Sequence, residues 1–153
     1  MTKKAKIFMT IATFFGSGLS PKAPGTCGSL AALPFGALLL WLGGSSLLLL
    51  GAVVVFFLGW LVSDSIAKEK QISDPQFIVI DEVAGQFIAL CAAGLNLIDF
   101  GLAFFFFRLF DITKPFPASF ADRKIAGGLG IMLDDVFAGI YAFMALYVIK
   151  TVL

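Results

Sequence analysis

The sequence predicts an all-α protein: a polytopic membrane helical bundle of about five short or broken transmembrane segments with polar cytoplasmic loops, forming one domain over residues 1–153. Hydrophobic residues make up 59% of the 153 residues and charged residues only 14%, a more apolar composition than that of an ordinary soluble domain. The mean hydropathy is +0.99. Long apolar runs alternate with short polar stretches, which is the pattern expected of helices in lipid.

The N-terminal half predicts a surface helix followed by two membrane segments. Three lysines precede a short apolar run, IFMTIATFFG, and no small-residue cleavage site follows it. We therefore expect this run to stay in the mature protein as an amphipathic helix along the membrane surface. Residues 29–62 are almost wholly apolar and too long for one crossing. The turn signal Gly43-Gly44-Ser45-Ser46 divides them into segments 29–42 and 46–62.

The C-terminal half predicts three more segments. The third is the run FIVIDEVAGQFIALCAAGL, which is interrupted near its beginning by Asp81 and Glu82. A phenylalanine-rich fourth segment covers about 98–110. The fifth covers about 134–151, and the pair Asp134-Asp135 is expected to open it.

The distribution of lysine and arginine predicts the orientation, because short cytoplasmic loops concentrate these residues. The turns at 43–46 and 95–97 carry no charge, and they alternate with loops that carry nearly all the basic residues. Only Lys150 departs from this alternation. We expect a cytoplasmic N-terminus and a functional site on the cytoplasmic side. Topology alone leaves the acidic residues unexplained, since carboxylates contribute little to orientation and are costly near hydrocarbon.

Composition excludes several kinds of chemistry. Histidine is absent, which removes the commonest general base and zinc ligand. Cys27 and Cys91 are far apart and form neither a disulfide framework nor a metal knuckle. The formal charge of +1 gives no general attraction to nucleic acid, so we expect no nucleic-acid partner. Catalysis would depend on carboxylates, hydroxyls, Lys, Arg and a hard metal ion.

A first candidate site is the glycine- and proline-rich stretch GSGLSPKAPGTCGS, residues 16–29. It places Lys22, Thr26 and Ser29 at the start of a predicted helix, where free backbone amides and the helix dipole favour a phosphate. No GK[ST] follows, so it is not a Walker A loop. The alternative is a connector that leads into a membrane segment.

A second candidate is IDEVAGQ, which contains Asp81, Glu82 and Gln86. Adjacent carboxylates reach one site only at a helix start or bend. The alternative is a charge pair that complements the helix dipole. Asp64, near the end of the second segment, is a weaker candidate, because an N-cap or interfacial residue needs no further function.

The third candidate is the polar stretch from Arg108 to Asp135. Arg108, Asp111 and Lys114 are three residues apart and share one helix face until Pro115 ends the helix. The plainer alternative is a solvated loop. If the loops meet, five carboxylates converge with three cations, which indicates Mg²⁺ and a phosphate at a membrane surface.

Taken together, the blocks PKAPGTCGS, IDEVAGQ and RLFDITKPFP with a later LDD resemble the phosphatidylglycerophosphatase A family, in an order that covers residues 16 to about 141. The resemblance implies a Mg²⁺-dependent enzyme of the bacterial inner membrane that converts phosphatidylglycerophosphate to phosphatidylglycerol and inorganic phosphate. It implies an acidic catalytic and metal-binding set of Asp81, Glu82, Asp111, Asp134 and Asp135. It also implies a phosphate-binding set of Lys22, Thr26, Ser29, Arg108 and Lys114, with Asp64 at a family-like position.

Two questions stay open in the sequence. The attacking group is either a metal-activated water or a carboxylate that forms a phosphoenzyme. The runner-up function is a small ion or solute transporter with a carboxylate-lined path, which would place the charges near the bilayer midplane. The expected partners are the lipid substrate and the membrane, and homo-oligomerisation is left open.

Overall fold

A computed structural model describes all 153 residues, and every element in it is helical. The prediction of an all-α fold is therefore confirmed. The chain forms six α-helices and one short 3₁₀ turn at Ser17–Leu19. The α-helices are α1 (Lys3–Ala12), α2 (Pro24–Lys70), α3 (Ile80–Leu90), α4 (Leu97–Thr113), α5 (Ala118–Lys124) and α6 (Gly127–Val152).

Helix α2 is broken at the predicted turn. Gly43 and Gly44 leave the helical region, and Gly44 has a φ of 65°, which favours glycine. A Cβ on Gly51 would lie 2.8 Å from Cδ1 of Leu39, although a straight helix would separate these residues by about 18 Å. The two halves of α2, 24–42 and 45–70, therefore fold back on each other as a hairpin.

Helix α6 begins earlier than the sequence predicted. It starts at Gly127, so Asp134 and Asp135 lie within the helix and are buried. The backbone amide of Gly128 donates to Oδ1 of Asp64 at 3.2 Å, and a Cβ on Gly128 would lie 2.4 Å from the Asp64 nitrogen. The glycines at 127 and 128 let the first turn of α6 pack directly on the backbone of α2.

Two helices, α2 and α6, are long and apolar enough to cross a membrane, judged by length and composition. In the most apolar window of α2 only 22% of the residues are buried, and large side chains such as Leu50, Phe57 and Leu61 are exposed. The core helix of a soluble protein is mostly buried, so this outer surface is suited to lipid. Helices α3 and α4 are shorter, with 11 and 17 residues.

The bundle has two ends of different character. One end holds the turns at 43–46 and 95–97. There the Ser45 hydroxyl donates to the Cys91 carbonyl at 2.9 Å, and Lys150 forms an ion pair with Asp99 at 2.6 Å. The two uncharged turns thus lie side by side, and Lys150 has a local partner there. At the polar end, the starts of α2, α3 and α6, the end of α4, and α5 surround a cavity.

Helix α3 is the central element that positions this cavity. Nine of its residues are buried, and it packs between α2 and α6. A Cβ on Gly139 would lie 2.4 Å from the carbonyl oxygen of Gly85, so the backbones of α6 and α3 touch without a side chain between them. This close contact brings the start of α3 next to the middle of α6.

Candidate active site

The cavity at the polar end has a volume of about 690 Å³ and a strongly charged lining. Four cationic side chains line it, Arg108, Lys114, Arg123 and Lys124, together with seven carboxylates: Asp74, Asp81, Glu82, Asp111, Asp122, Asp134 and Asp135. Carboxylates outnumber cations, so the lining by itself repels an anion. A phosphate would enter it only with additional positive charge.

Three carboxylates form a compact cluster at the base of the cavity. Asp81 and Glu82 stand in the first turn of α3, and Asp135 projects from α6. Each offers one oxygen, and these oxygens lie within 4.8 Å of one another. A Cβ on Gly85 would lie 2.5 Å from the Asp135 carbonyl oxygen, so glycine at this position permits the approach. The start of a helix lets both adjacent acids reach one point.

The cluster lacks partners within the protein. Asp81 Oδ1, Glu82 Oε2 and Asp135 Oδ2 are buried and accept no hydrogen bond, and none of the three residues forms an ion pair. Buried carboxylates without partners are costly, and their mutual repulsion adds to the cost. An oxygen-only set of this kind fits a hard divalent cation such as Mg²⁺.

Three of the other four carboxylates hold two of the cations. Arg108 forms an ion pair with Asp111 one turn further along α4. The Lys114 ammonium contacts Asp134 at 2.6 Å and Asp122 at 2.9 Å. Burial opposes the charge of Lys114, but its hydrogen bonds and attraction to these two acids outweigh burial and raise its pKa. Lys114 thus stays charged at any physiological pH.

The start of α2 forms another wall of the cavity. Ala23, Pro24 and Gly25 line it, and a Cβ on Gly25 would lie 2.4 Å from Oε1 of Glu82 and 3.2 Å from Nη1 of Arg108. The first amide with a helical partner is that of Cys27, which donates to the Ala23 carbonyl. The amides before it are free, as at the start of any helix, and such a terminus favours an anion.

Five of the sequence-predicted residues lie outside the cavity lining. Lys22 is exposed, and Thr26 is half-buried. Ser29 is buried and donates its hydroxyl to the Gly25 carbonyl at 2.9 Å. Asp64 accepts from the start of α6 and pairs with Lys68. Gln86 is fully buried, with both amide atoms unpartnered.

Several lining residues were not singled out as site residues from the sequence. Asp74 follows α2 in a polar loop, and Asp122, Arg123 and Lys124 end α5. The last three belong to the polar stretch between the fourth and fifth predicted segments. No spacing rule indicated that they face the same cavity as α3, because that depends on the packing of α5 against α6.

Comparisons with known proteins give a consistent result. Residues 10–150 match the sequence model of the family Phosphatidylglycerophosphatase A. A phosphatidylglycerophosphatase A of Haemophilus influenzae is 42% identical over 141 residues, 92% of this chain and 86% of that protein. The protein of the same name from Escherichia coli is 41% identical over 143 residues, 91% of this chain and 81% of that protein.

A third relative carries a different name. The "Putative phosphatidylinositol-3-phosphatase" of Bacteroides thetaiotaomicron is 36% identical over 166 residues, 100% of this chain and 99% of that protein. No solved structure matches the chain. Since the family match extends over nearly the whole sequence, the chain belongs to the phosphatidylglycerophosphatase A family.

Proposed function

We propose that this chain is a Mg²⁺-dependent phosphatidylglycerophosphatase that hydrolyses phosphatidylglycerophosphate to phosphatidylglycerol and inorganic phosphate in phospholipid synthesis. Two members of its family carry that name. One observation carries the mechanism: Asp81, Glu82 and Asp135 surround one point, and each has one buried oxygen without a partner. They stand at the base of a cavity whose Arg108 and Lys114 suit a phosphate.

The three unpartnered carboxylates are the proposed metal ligands. Mg²⁺ bound there would neutralise charge on the phosphoryl group and lower the pKa of a coordinated water. Asp111 and Asp134, which the family resemblance also places in the metal set, are already engaged by Arg108 and Lys114. We assign these two acids the role of orienting the cations towards the phosphate, with metal contact as the alternative.

The cations and the start of α2 would hold the phosphoryl group. Arg108 presents a planar set of donors suited to two phosphate oxygens, and Lys114 adds a compact charge. Both are held in place by carboxylates before substrate arrives, so little reorganisation is needed when negative charge develops. The free amides at the start of α2 add further donors on the same wall. Lys22, Thr26 and Ser29 have no direct role in this arrangement.

We further propose that the protein lies in the bacterial inner membrane with the cavity on the cytoplasmic face. The five crossing segments would be the two halves of α2 together with α3, α4 and α6, of which α3 is too short to span alone. Exposed apolar side chains on α2 support contact with lipid. The lysine-rich loops at the polar end support its cytoplasmic location. The acyl chains would stay in the bilayer while the headgroup enters the cavity.

The position of the charges favours this proposal over a transporter. A carboxylate-lined permeation path places its acids near the bilayer midplane, on broken helices. Here the acids gather at one end of the bundle, and the only ion pair at the other end is that of Asp99 with Lys150. A cavity at one end suits a headgroup that arrives from the membrane surface.

Phosphate release from phosphatidylglycerophosphate by the purified protein tests the proposal. We expect release with Mg²⁺, none in EDTA, and a loss of at least about a hundredfold for Asp81→Asn and Glu82→Gln. Full activity in EDTA would reject the metal, and release from a phosphatidylinositol phosphate at a higher rate would reject the substrate. Acid quenching separates the two chemistries, because only a carboxylate nucleophile leaves a phosphorylated protein.

A further inference from the structure

We infer that Arg123 and Lys124 form a second anion subsite, at the rim of the cavity, which binds the phosphodiester of the lipid substrate. This inference rests on the proposed function. The substrate carries two phosphates, a terminal monoester that is hydrolysed and a diester that links the headgroup to the diacylglycerol. The residues discussed so far account only for the monoester.

The cavity's four cations differ in whether a protein group neutralises them. Arg108 and Lys114 are both held by carboxylates. Arg123 and Lys124 line the same cavity, are exposed, and have neither an ion pair nor a side-chain hydrogen bond. Their neighbour Asp122 is engaged by Lys114. These two are therefore the cations of the lining whose charge no protein group offsets.

Helix α5, which carries both cations, lies close to the acidic cluster. Lys114 bridges Asp122 on α5 to Asp134 on α6, so α5 stands directly beside the acidic base. A Cβ on Gly130 would touch the Ile125 carbonyl, and Asp134 lies one helical turn, about 6 Å, further along α6. The Ile125 carbonyl, just after the end of α5, is thus about one turn outside Asp134, and Arg123 and Lys124 directly precede it. That offset suits a second phosphate separated from the first by a three-carbon glycerol.

Exposed aromatic rings beside these cations indicate that the ligand is a lipid. Phe120 precedes Arg123 and Lys124 by three and four residues, so it shares their face of α5. Its side chain is 50% exposed, and it packs edge-on against Phe116, which is 73% exposed. Two exposed aromatic rings next to two unpaired cations present apolar and cationic surface together. A glycerophospholipid offers acyl chains and a diester in the same order, whereas free phosphate offers no apolar part.

The test is equilibrium binding to the detergent-solubilised protein in Mg²⁺, with short-chain phosphatidylglycerol as the probe. This probe has the diester but no monoester, so the reading does not depend on hydrolysis. We expect the variant R123Q/K124Q to bind it about tenfold or more weakly than wild type. The control variant K3Q/K6Q, which removes two exposed lysines of α1, should bind as wild type does.

Three results would overturn the inference. The first is that R123Q/K124Q binds the probe as tightly as wild type does. The second is that K3Q/K6Q weakens binding of the probe as much as R123Q/K124Q does. The third is that inorganic phosphate displaces the probe from the rim of the cavity. In the hydrolysis assay, R123Q/K124Q should raise KM about tenfold and leave kcat within about twofold, since the chemistry lies at the cluster. A kcat loss with unchanged KM would also contradict it. If the wild type binds the probe but releases no phosphate, the proposed function fails while the anion subsite stands.

Discussion

Replacing Asp135 by Asn is expected to stabilise the metal-free protein while it removes activity. Asp135 is 2% exposed and shares the cluster with Asp81 and Glu82, and its Oδ2 has no partner. In EDTA the substitution takes one charge out of a group of mutually repelling acids. In Mg²⁺ it removes one of the proposed metal ligands. The sign of the effect on stability should therefore depend on the metal.

The size of the effect follows from the spacing. Two unit charges no more than 4.8 Å apart repel by at least about 3.5 kcal/mol at an effective dielectric constant of about 20. The new amide is itself buried without a partner, which reduces the gain, so we expect about 1 to 3 kcal/mol in EDTA. For a chain of this length that corresponds to a rise of roughly 3 to 10 °C in apparent melting temperature.

The assay is melting of the detergent-solubilised protein by circular dichroism, in EDTA and across a Mg²⁺ titration. Wild type should gain about 2.7 kcal/mol when Mg²⁺ is a hundredfold above its dissociation constant. Asp135→Asn should show little or no Mg²⁺ response at those concentrations. Hydrolysis of phosphatidylglycerophosphate, measured in parallel, should fall by at least about a hundredfold.

Asp99→Asn is the matched control. Asp99 is 8% exposed, but it pairs with Lys150 and accepts from the Gly94 amide. The same substitution should cost about 1 to 3 kcal/mol with or without Mg²⁺ and leave the metal response intact, because it leaves a cation without its partner. The reasoning is refuted if Asp135→Asn melts below wild type in EDTA or retains the full Mg²⁺ response.

Three further predictions follow from packing and orientation. Gly25→Ala should reduce activity by about a hundredfold without unfolding, because the new methyl group displaces the Glu82 carboxylate; Gly101→Ala in α4, which meets nothing within 4 Å, should leave activity unchanged. In a cysteine-free background, a membrane-impermeant maleimide should label Lys22→Cys only when it is added from the cytoplasmic side. It should label Leu97→Cys only from the opposite side, and the reverse pattern would contradict the proposed orientation. Proteoliposomes of the wild type should remain impermeable to ions, whereas an ion flux abolished by Asp81→Asn would favour the transporter.

The parts of the fold that could be predicted from the sequence are those set by local chemistry. Gly43 and Gly44 broke α2 as expected, because adjacent glycines lower the cost of leaving the helix. Helix α4 ends at Thr113, just before Lys114 and Pro115, because proline restricts the residue before it. Each of these outcomes depends on a few neighbouring residues.

The start of α6 could not be predicted in the same way. The run AGGLG has a low helix propensity, and the prediction placed it in a loop. The helix begins there because Gly127 and Gly128 let α6 approach α2, where Asp64 accepts a hydrogen bond from the Gly128 amide. This contact joins residues 64 positions apart. The roles expected of Thr26 and Ser29 depended on the same kind of information, since the face of α2 that meets the cavity is set by packing.

The lengths of the helices link the depth of the cluster to the membrane. The first half of α2, 24–42, is about 28 Å long, close to the ~30 Å thickness of the hydrocarbon layer. Gly25 at its start lies against Glu82, and its other end leads into the turn beside Cys91. If the turn stands at one face of the bilayer, the acidic cluster stands at the other. The second half of α2, 45–70, is about 39 Å long, so its charged end with Lys68 and Lys70 extends beyond the hydrocarbon. In the proposed membrane orientation, each half of the hairpin would therefore place the cavity at headgroup depth, where a phosphate would reach the proposed metal ligands while its acyl chains stay in lipid.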